Sequence, residues 1–189
     1  FISITFIVIV ILFQQEIRKY LSQLGKGKIL KNKIFLKFFN SENEEKLNKK
    51  AIVKACYEFQ KNKTGAIIVI TQTDDLNYIC ENAVQINSEI NFPILHSIFF
   101  KNSPLHDGAI IIRNNRIIAA RCILPVSNED DFPSELGMRH RAAAGISEHS
   151  DAITIIVSEQ NGSVSYTQNG KLKTDISEKQ LNNLLNRNF

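Results

Sequence analysis

One short stretch of the sequence places a carboxylate where it could act on a substrate. Residues 104–109 read PLHDGA and lead into the apolar run AIII at 109–112, which is typical of a buried strand. Asp107 therefore lies at the mouth of that strand, where it could accept a proton. Gly108 has no side chain, so we expect a ligand to approach its backbone closely. An isolated Asp-Gly pair is also a common turn, and that alternative stays open.

A second stretch is suited to binding phosphate. Residues 137–143 read GMRHRAA, and the alanines favour a helix whose early turns contain Arg139, His140 and Arg141. A helix N-terminus attracts anions, and arginine offers forked donors that match phosphate. These residues could also form nothing more than a solvated helix face. Together with Asp107, however, they predict a nucleotide site.

The two stretches together resemble the paired motifs of the diadenylate cyclase domain family. Asp107-Gly108-Ala109 is similar to its catalytic DGA motif, and Arg139-His140-Arg141 to its RHR motif. The flanking segments agree as well: 102–106 (NSPLH), 134–137 (SELG) and 153–159 (ITIIVSE). The resemblance covers roughly residues 63–185, and the N-terminal stretch is similar to that of the membrane-bound bacterial branch. It implies that the chain makes cyclic di-AMP and two pyrophosphates from two ATP molecules.

The implied reaction sets the roles of the polar residues. A ribose 3′-hydroxyl of each ATP must attack the α-phosphate of the other, and Asp107 is the candidate that orients and deprotonates this hydroxyl. Because a carboxylate is a weak base for an alcohol, we expect a divalent metal, Mg²⁺ or Mn²⁺, to assist. His106 and Glu159 are the candidate metal ligands, since neither has an obvious role in apolar packing. The alternative for His106 is a partly exposed histidine at a strand edge.

Phosphate binding is expected from Arg139 and Arg141, with Ser158 donating a hydrogen bond from the end of a neighbouring strand. His140 either binds phosphate beside them or has a structural role.

The resemblance also implies a homodimer in which two sites meet face to face. One shallow site that holds one ATP cannot close a two-fold symmetric product by itself, which agrees with this expectation. The resemblance further places the adenine against apolar side chains at Ile123 and Leu124. A regulatory protein partner is possible, but the sequence does not identify one.

The sequence departs from the family pattern at two positions. Met138 stands where the commonest form has a threonine before the RHR motif, so a hydroxyl that could contact phosphate is missing. Gln160 replaces the usual second acid after Ser158 and Glu159. This argues against a metal site with two carboxylate ligands, but Glu159 is still available as a metal ligand.

Two other functions come from different classes. A non-catalytic, membrane-tethered adenine-nucleotide sensor would keep the arginines but would not need Asp107. A metal-dependent phosphohydrolase could use His106 and Asp107 as ligands. Such sites usually need further His or Asp ligands, and His96, His140 and His149 show no ligand spacing. The family resemblance favours the cyclase over both.

Composition narrows the possible partners. The 189 residues are enough for one domain with an appendage, and the net charge of +4 suits a small anionic ligand. The chain lacks Trp and any basic run interleaved with aromatic residues, so a nucleic-acid surface is not favoured. Cys56, Cys80 and Cys122 have no ligand-like spacing, and we expect buried thiols in a reducing compartment.

The N-terminus predicts a membrane anchor. Residues 1–13 are almost wholly apolar but too few to span a bilayer, so we expect the last part of a truncated transmembrane helix. A buried core helix is the alternative. Seven Lys or Arg residues within the next 24 residues place the downstream chain in the cytoplasm. We therefore divide the chain into the transmembrane end and juxtamembrane helix (1–24), a basic linker (25–40) and the catalytic domain (41–189).

The elements that must position these residues follow from periodicity and turn signals. The pattern predicts an α/β fold in which a mixed central β-sheet is flanked by helices. The predicted helices are 41–62, opened by a capping box of Ser41 and Glu44, then 91–100, 135–149 and one after Ser177. The predicted strands are 65–70, which is continuous and central, 83–86, 108–113, 116–123, 152–158 and 163–166.

Overall fold

The computed structural model of the chain describes residues 47–127, 132–133 and 136–189. The predicted transmembrane end, the basic linker and the Ser41–Glu44 capping box lie outside these residues. Among the described residues, no helix is both long enough and apolar enough to cross a bilayer.

The described chain folds into a mixed sheet with helices on both faces, which confirms the predicted fold class. The helices are α1 (Lys49–Asn62), α2 (Asn77–Cys80), α3 (Phe92–Phe99), α4 (Met138–His149) and α5 (Glu178–Asn188). The strands are β1 (Ala66–Ile70), β2 (Val84–Glu89), β3 (Ala109–Arg113), β4 (Arg116–Cys122), β5 (Ile153–Val157), β6 (Val164–Gln168) and β7 (Lys171–Lys173). The seven strands lie in the order β2-β4-β3-β1-β5-β6-β7.

The central strand β1 organises the sheet. It pairs in parallel with β3, with Ile68 opposite Ile110, and antiparallel with β5, with Ala66 opposite Val157. All five of its residues are buried, as expected for a continuous apolar strand covered on both faces.

Successive residues of β1 point to opposite faces and enter two separate cores. Ile68 and Ile70 pack in the cluster formed with α1, α3 and α5. Ile67 and Val69 pack in the cluster that includes Ile146 of α4. The sheet is therefore the middle layer of three.

Helix boundaries show where the sequence signals were misread. Helix α1 begins at Lys49, where the side chain of Asn48 accepts a hydrogen bond from the backbone N–H of Ala51, so the predicted continuous helix over 41–62 is wrong at residues 47 and 48. Helix α4 begins at Met138, three residues later than predicted. The short elements α2 and β7 were not predicted. The C-terminal helix was, and Ser177 and Gln180 form a capping box at its start.

The three cysteines are free, and all are buried as predicted. Cys56 lies in the core on the α1 side of the sheet, and Cys80 and Cys122 lie in the other core. Burial disfavours the thiolate and raises the pKa of both Cys56 and Cys122 to about 12.

Candidate active site

Three strand ends meet at one edge of the sheet and bring the predicted motifs together. Because β1 and β3 are parallel neighbours, Gly65 and Gly108 precede them at the same edge. Strand β5 runs the other way, so Ser158 and Glu159 follow it at that edge too. The DGA segment before β3 and the segment with Ser158 and Glu159 after β5 are thus separated by β1 alone.

The loop before β3 is held by hydrogen bonds around Ser103. The backbone N–H of His106 and that of Leu105 donate to the Ser103 carbonyl and hydroxyl oxygens, at 3.3 and 3.2 Å. The His106 ring nitrogen Nδ1 lies 2.5 Å from the same carbonyl. A carbonyl only accepts, so Nδ1 carries a proton, and in the neutral imidazole it is Nε2 that has the free lone pair.

Asp107 is exposed at the end of this loop. Within the described part of the chain its carboxylate makes no hydrogen bond or ion pair, so it is available to a substrate.

Gly108 has a packing role that the sequence did not indicate. Its φ is +136°, which L side chains rarely adopt. A Cβ atom there would lie 2.9 Å from the Arg121 carbonyl carbon and from the Cys122 carbonyl oxygen. Strand β4 therefore occupies the space that a side chain at position 108 would fill, and the approach of a ligand to the Gly108 backbone stays a prediction. Gly108 allows the loop and β4 to approach each other, which fixes Asp107 relative to the sheet.

Arg139, in the first turn of α4, forms the clearest polar contact of the site. Its Nη1 lies 2.6 Å from a carboxylate oxygen of Glu159. The Arg139 side chain is 26% exposed and that of Glu159 is 58% exposed. The ion pair is therefore open to solvent on the Glu159 side, and an anion can compete for the guanidinium.

A cavity of about 600 Å³ lies beside this ion pair. Arg139, Glu159 and His106 line it together, so the structure brings one predicted phosphate ligand and both predicted metal ligands to one space. Its other walls were not predicted: Phe59, Lys63, Thr64, His96, Phe99, Phe100 and Lys101 contribute to them. The phenylalanines fall in the predicted helices 41–62 and 91–100, and Lys63 and Thr64 fall between the first of these helices and the predicted strand 65–70. For Lys63 and Thr64, their position just before a central strand was the one signal that could have identified them.

The other two residues of the RHR motif point elsewhere. The Arg141 guanidinium carbon lies 5.1 Å from the centre of the Phe132 ring, a cation–π contact, and Arg141 does not line the cavity. His140 is only 4% exposed. Its burial favours the structural role over direct phosphate binding.

Burial of His140 should make stability depend on pH. Desolvation lowers the pKa of His140, and Nε2 has no hydrogen-bond partner among the described residues. Below an unfolded pKa near 6.5, the unfolded chain therefore binds the proton more readily than the folded chain. On acidification from pH 7.5 to 5.5, we expect the free energy of unfolding to fall further for wild type than for His140→Asn. The difference between the two losses should be less than about 1.4 kcal/mol per pH unit. Urea unfolding of both proteins at the two pH values measures this; equal losses would contradict it.

The remaining predicted residues fall outside the cavity. Ser158 is 9% exposed, and its hydroxyl oxygen accepts a hydrogen bond from the Gln160 backbone N–H at 3.3 Å. Leu124 is buried in the α4-side core, whereas Ile123 is 84% exposed. Met138 is 66% exposed, so it has no core role.

Comparisons with known proteins agree with one another. Residues 53–172 match the family described as "DAC: DisA bacterial checkpoint controller nucleotide-binding". The chain is 40% identical over 186 residues to the cyclic di-AMP synthase CdaA of Bacillus subtilis, covering 97% of this chain and 66% of that protein. It is 39% identical over 181 residues to a diadenylate cyclase of Listeria monocytogenes, covering 95% of this chain and 64% of that protein. The chain thus spans slightly less than two thirds of these relatives.

Two solved structures are similar in fold. A double mutant of DacA from Staphylococcus aureus superposes with a TM-score of 0.73 and 41% identity, covering 74% of this chain and 93% of that one. A hypothetical membrane-spanning protein from Bacillus cereus superposes with a TM-score of 0.67 and 33% identity, covering 89% of this chain and 80% of that one.

Proposed function

The chain belongs to the DAC family, and on that premise we propose that it is a diadenylate cyclase that condenses two ATP molecules into cyclic di-AMP and two pyrophosphates. The observation that carries this proposal is the convergence of Arg139, Glu159 and His106 on one cavity, with the exposed Asp107 following His106 directly in the chain. A phosphate-binding cation and a proton acceptor at one sheet edge are what transfer of a nucleotidyl group to a hydroxyl requires.

Asp107 is assigned to the nucleophile. The 3′-oxygen of one ATP forms a bond to the α-phosphorus of the other, the bond from that phosphorus to the β-phosphate oxygen breaks, and pyrophosphate leaves. The hydroxyl proton passes to the Asp107 carboxylate. The same exchange on the opposite side closes the ring.

Arg139 is assigned to the phosphates. The phosphate oxygens would compete with Glu159 for the guanidinium, and the bidentate geometry of arginine suits them. Arg141 and Ser158 are assigned to the same task from neighbouring positions. The adenine is assigned to the surface at Ile123 and Leu124, where exposed Ile123 offers the apolar contact.

The side chains present fit a divalent cation whose coordination shell is completed by the substrate. Among the described residues, no group of three or more His, Cys, Asp or Glu side chains could hold a metal. Mg²⁺, however, is commonly held by one or two carboxylates plus phosphate oxygens and water. Glu159 and Nε2 of His106 would hold it here, and the contact of Nδ1 with the Ser103 carbonyl orients the ring. When bound, Mg²⁺ or Mn²⁺ would neutralise charge that develops on the transferred phosphate.

The assembly is part of the same proposal. Two subunits meet face to face, each holding one ATP, and the N-terminal segment anchors the chain in the cell membrane with residues 41–189 as the catalytic domain on the cytoplasmic side. The apolar start of the sequence and the basic residues that follow it support this topology.

Separating the products tests the activity. The chain is incubated with ATP and either Mg²⁺ or Mn²⁺, and the nucleotides are resolved by chromatography. We expect cyclic di-AMP and pyrophosphate. ATP bound but unchanged would favour the nucleotide sensor, and ADP or AMP would favour a phosphohydrolase.

Mixed dimers test the face-to-face mechanism. A dimer of one wild-type and one Asp107→Asn subunit can activate only one of the two hydroxyls, so it should stall at a linear dinucleotide. After equal amounts exchange freely, roughly one quarter of the dimers are wild-type pairs. Early cyclic product per total subunit should therefore fall to about a quarter of the wild-type value. A fall to about half without linear product would mean that the subunits act independently.

A further inference from the structure

Gly65, the residue immediately before β1, lies directly against the Arg139 side chain. A Cβ atom built on Gly65 would be 2.8 Å from the guanidinium carbon Cζ, 3.0 Å from Nη1 and 3.1 Å from Nε. Its three nearest neighbours are thus all atoms of one guanidinium group. The plane of that group therefore occupies the space that any other residue at position 65 would fill.

The backbone does not explain a glycine at this position. Gly65 is not among the glycines with positive φ, which are Gly108, Gly162 and Gly170. An alanine could therefore adopt the same backbone conformation. The atoms it would meet are the far end of a flexible side chain, so Arg139 would move and the fold would remain.

The guanidinium also contacts a carboxylate. Nη1 contacts Glu159, which lies just beyond β5, the antiparallel neighbour of β1. The guanidinium therefore lies against the bare backbone at the start of β1 and also pairs with the carboxylate that follows β5. This arrangement fixes the direction of the guanidinium as it faces the cavity.

We propose that Gly65 is a positioning residue, whose missing side chain lets the Arg139 guanidinium lie against the start of β1 in the orientation that binds the substrate phosphates. The inference rests on the proposed function, because it assigns the purpose of that orientation to ATP binding. Gly65 itself touches no reacting atom in this account and acts through Arg139.

A double-mutant cycle between Gly65→Ala and Arg139→Ala tests the proposal. The probe is 3′-deoxy-ATP with Mg²⁺, which lacks the attacking hydroxyl and cannot react, and its affinity is measured by calorimetry. Gly65→Ala should weaken binding about tenfold, because a displaced arginine loses most of a charge-assisted hydrogen bond. In the Arg139→Ala background the same substitution should change affinity by less than about twofold, since no guanidinium remains to be displaced.

Measurements of thermal stability and of kinetics distinguish a positioning role of Gly65 from a structural one. The thermal midpoint of Gly65→Ala should not fall, because Gly→Ala at an unstrained position reduces the entropy of the unfolded chain. With ATP as substrate, KM should rise by a larger factor than kcat falls. If Gly65→Ala does not fold, the double variant must recover folding, because the obstructing guanidinium has been removed.

Three results would overturn the proposal. The first is that Gly65→Ala binds the probe as tightly as wild type does. The second is that Gly65→Ala weakens binding by the same factor in the wild-type and Arg139→Ala backgrounds. The third is that the double variant fails to fold. If Arg139→Ala alone leaves affinity unchanged, the assignment of Arg139 to phosphate fails as well. Normal cyclic product from Gly65→Ala with wild-type affinity would refute the positioning role and leave the proposed function intact.

Discussion

Replacing Asp107 with asparagine should lower the rate of cyclic product formation by about 10²–10⁴-fold, the usual contribution of a general base. Asparagine keeps the shape of the side chain but cannot accept the hydroxyl proton. Affinity for ATP should change little, because Asp107 is assigned to the ribose and Arg139 to the phosphates. Early-time product formation at saturating ATP measures the first quantity, and calorimetry with 3′-deoxy-ATP measures the second.

Asp175→Asn is the matched control. Asp175 is exposed between β7 and α5 and has a φ of +50°, a conformation that asparagine tolerates well. The same change of charge there should leave turnover within about threefold of wild type. An Asp107→Asn rate that also stays within this range would exclude Asp107 as the base.

Truncating Arg139 to alanine should weaken ATP binding by roughly 1.5–3 kcal/mol, the value of a hydrogen bond to a charged group. This corresponds to a loss of about 10- to 150-fold in affinity. Glu159 would lose its partner, but it is largely exposed, so the free energy of unfolding should change by less than about 1 kcal/mol. Calorimetric titration and urea unfolding of the same variant separate the two effects.

Substitutions of two other arginines serve as comparisons for Arg139→Ala. Arg187 is exposed near the end of α5, and Arg187→Ala removes the same charge without touching the cavity, so affinity should be unchanged. Arg141→Ala should weaken binding less than Arg139→Ala, because the Arg141 guanidinium packs on Phe132. Equal affinity of Arg139→Ala and wild type would support a merely solvated helix face.

The sheet and its central strand could be predicted from the sequence because local patterns of apolar and turn-forming residues determine them. The continuous apolar run of β1 required burial on both faces, and the Asn114-Asn115 pair adopts the positive φ values of a tight hairpin turn. The start of α1 was missed because two residues, Ser41 and Asn48, are both good N-caps, and only the tertiary contacts of Asn48 with Asn115 and Ile90 distinguish them.

The site was predicted in part for a similar reason. His106, Arg139 and Glu159 could be found because each belongs to a recognisable motif. Gly65 and Phe59 could not, because their part in the site depends on which strand ends become neighbours. The pairing of β1 with both β3 and β5 brings together segments that are far apart in the sequence, and nothing local specifies it.

The distribution of the three buried thiols makes each core of the protein separately observable. Because only the thiolate reacts with alkylating reagents, a pKa near 12 leaves almost no reactive form at neutral pH while the fold is closed. Labelling must then wait for transient opening, and its rate reports the free energy of that opening. Cys56 would report on the layer under α1, and Cys122 on the layer under α4. Mass spectrometry of the labelled peptides could therefore show which side of the sheet loosens first when nucleotide is withdrawn.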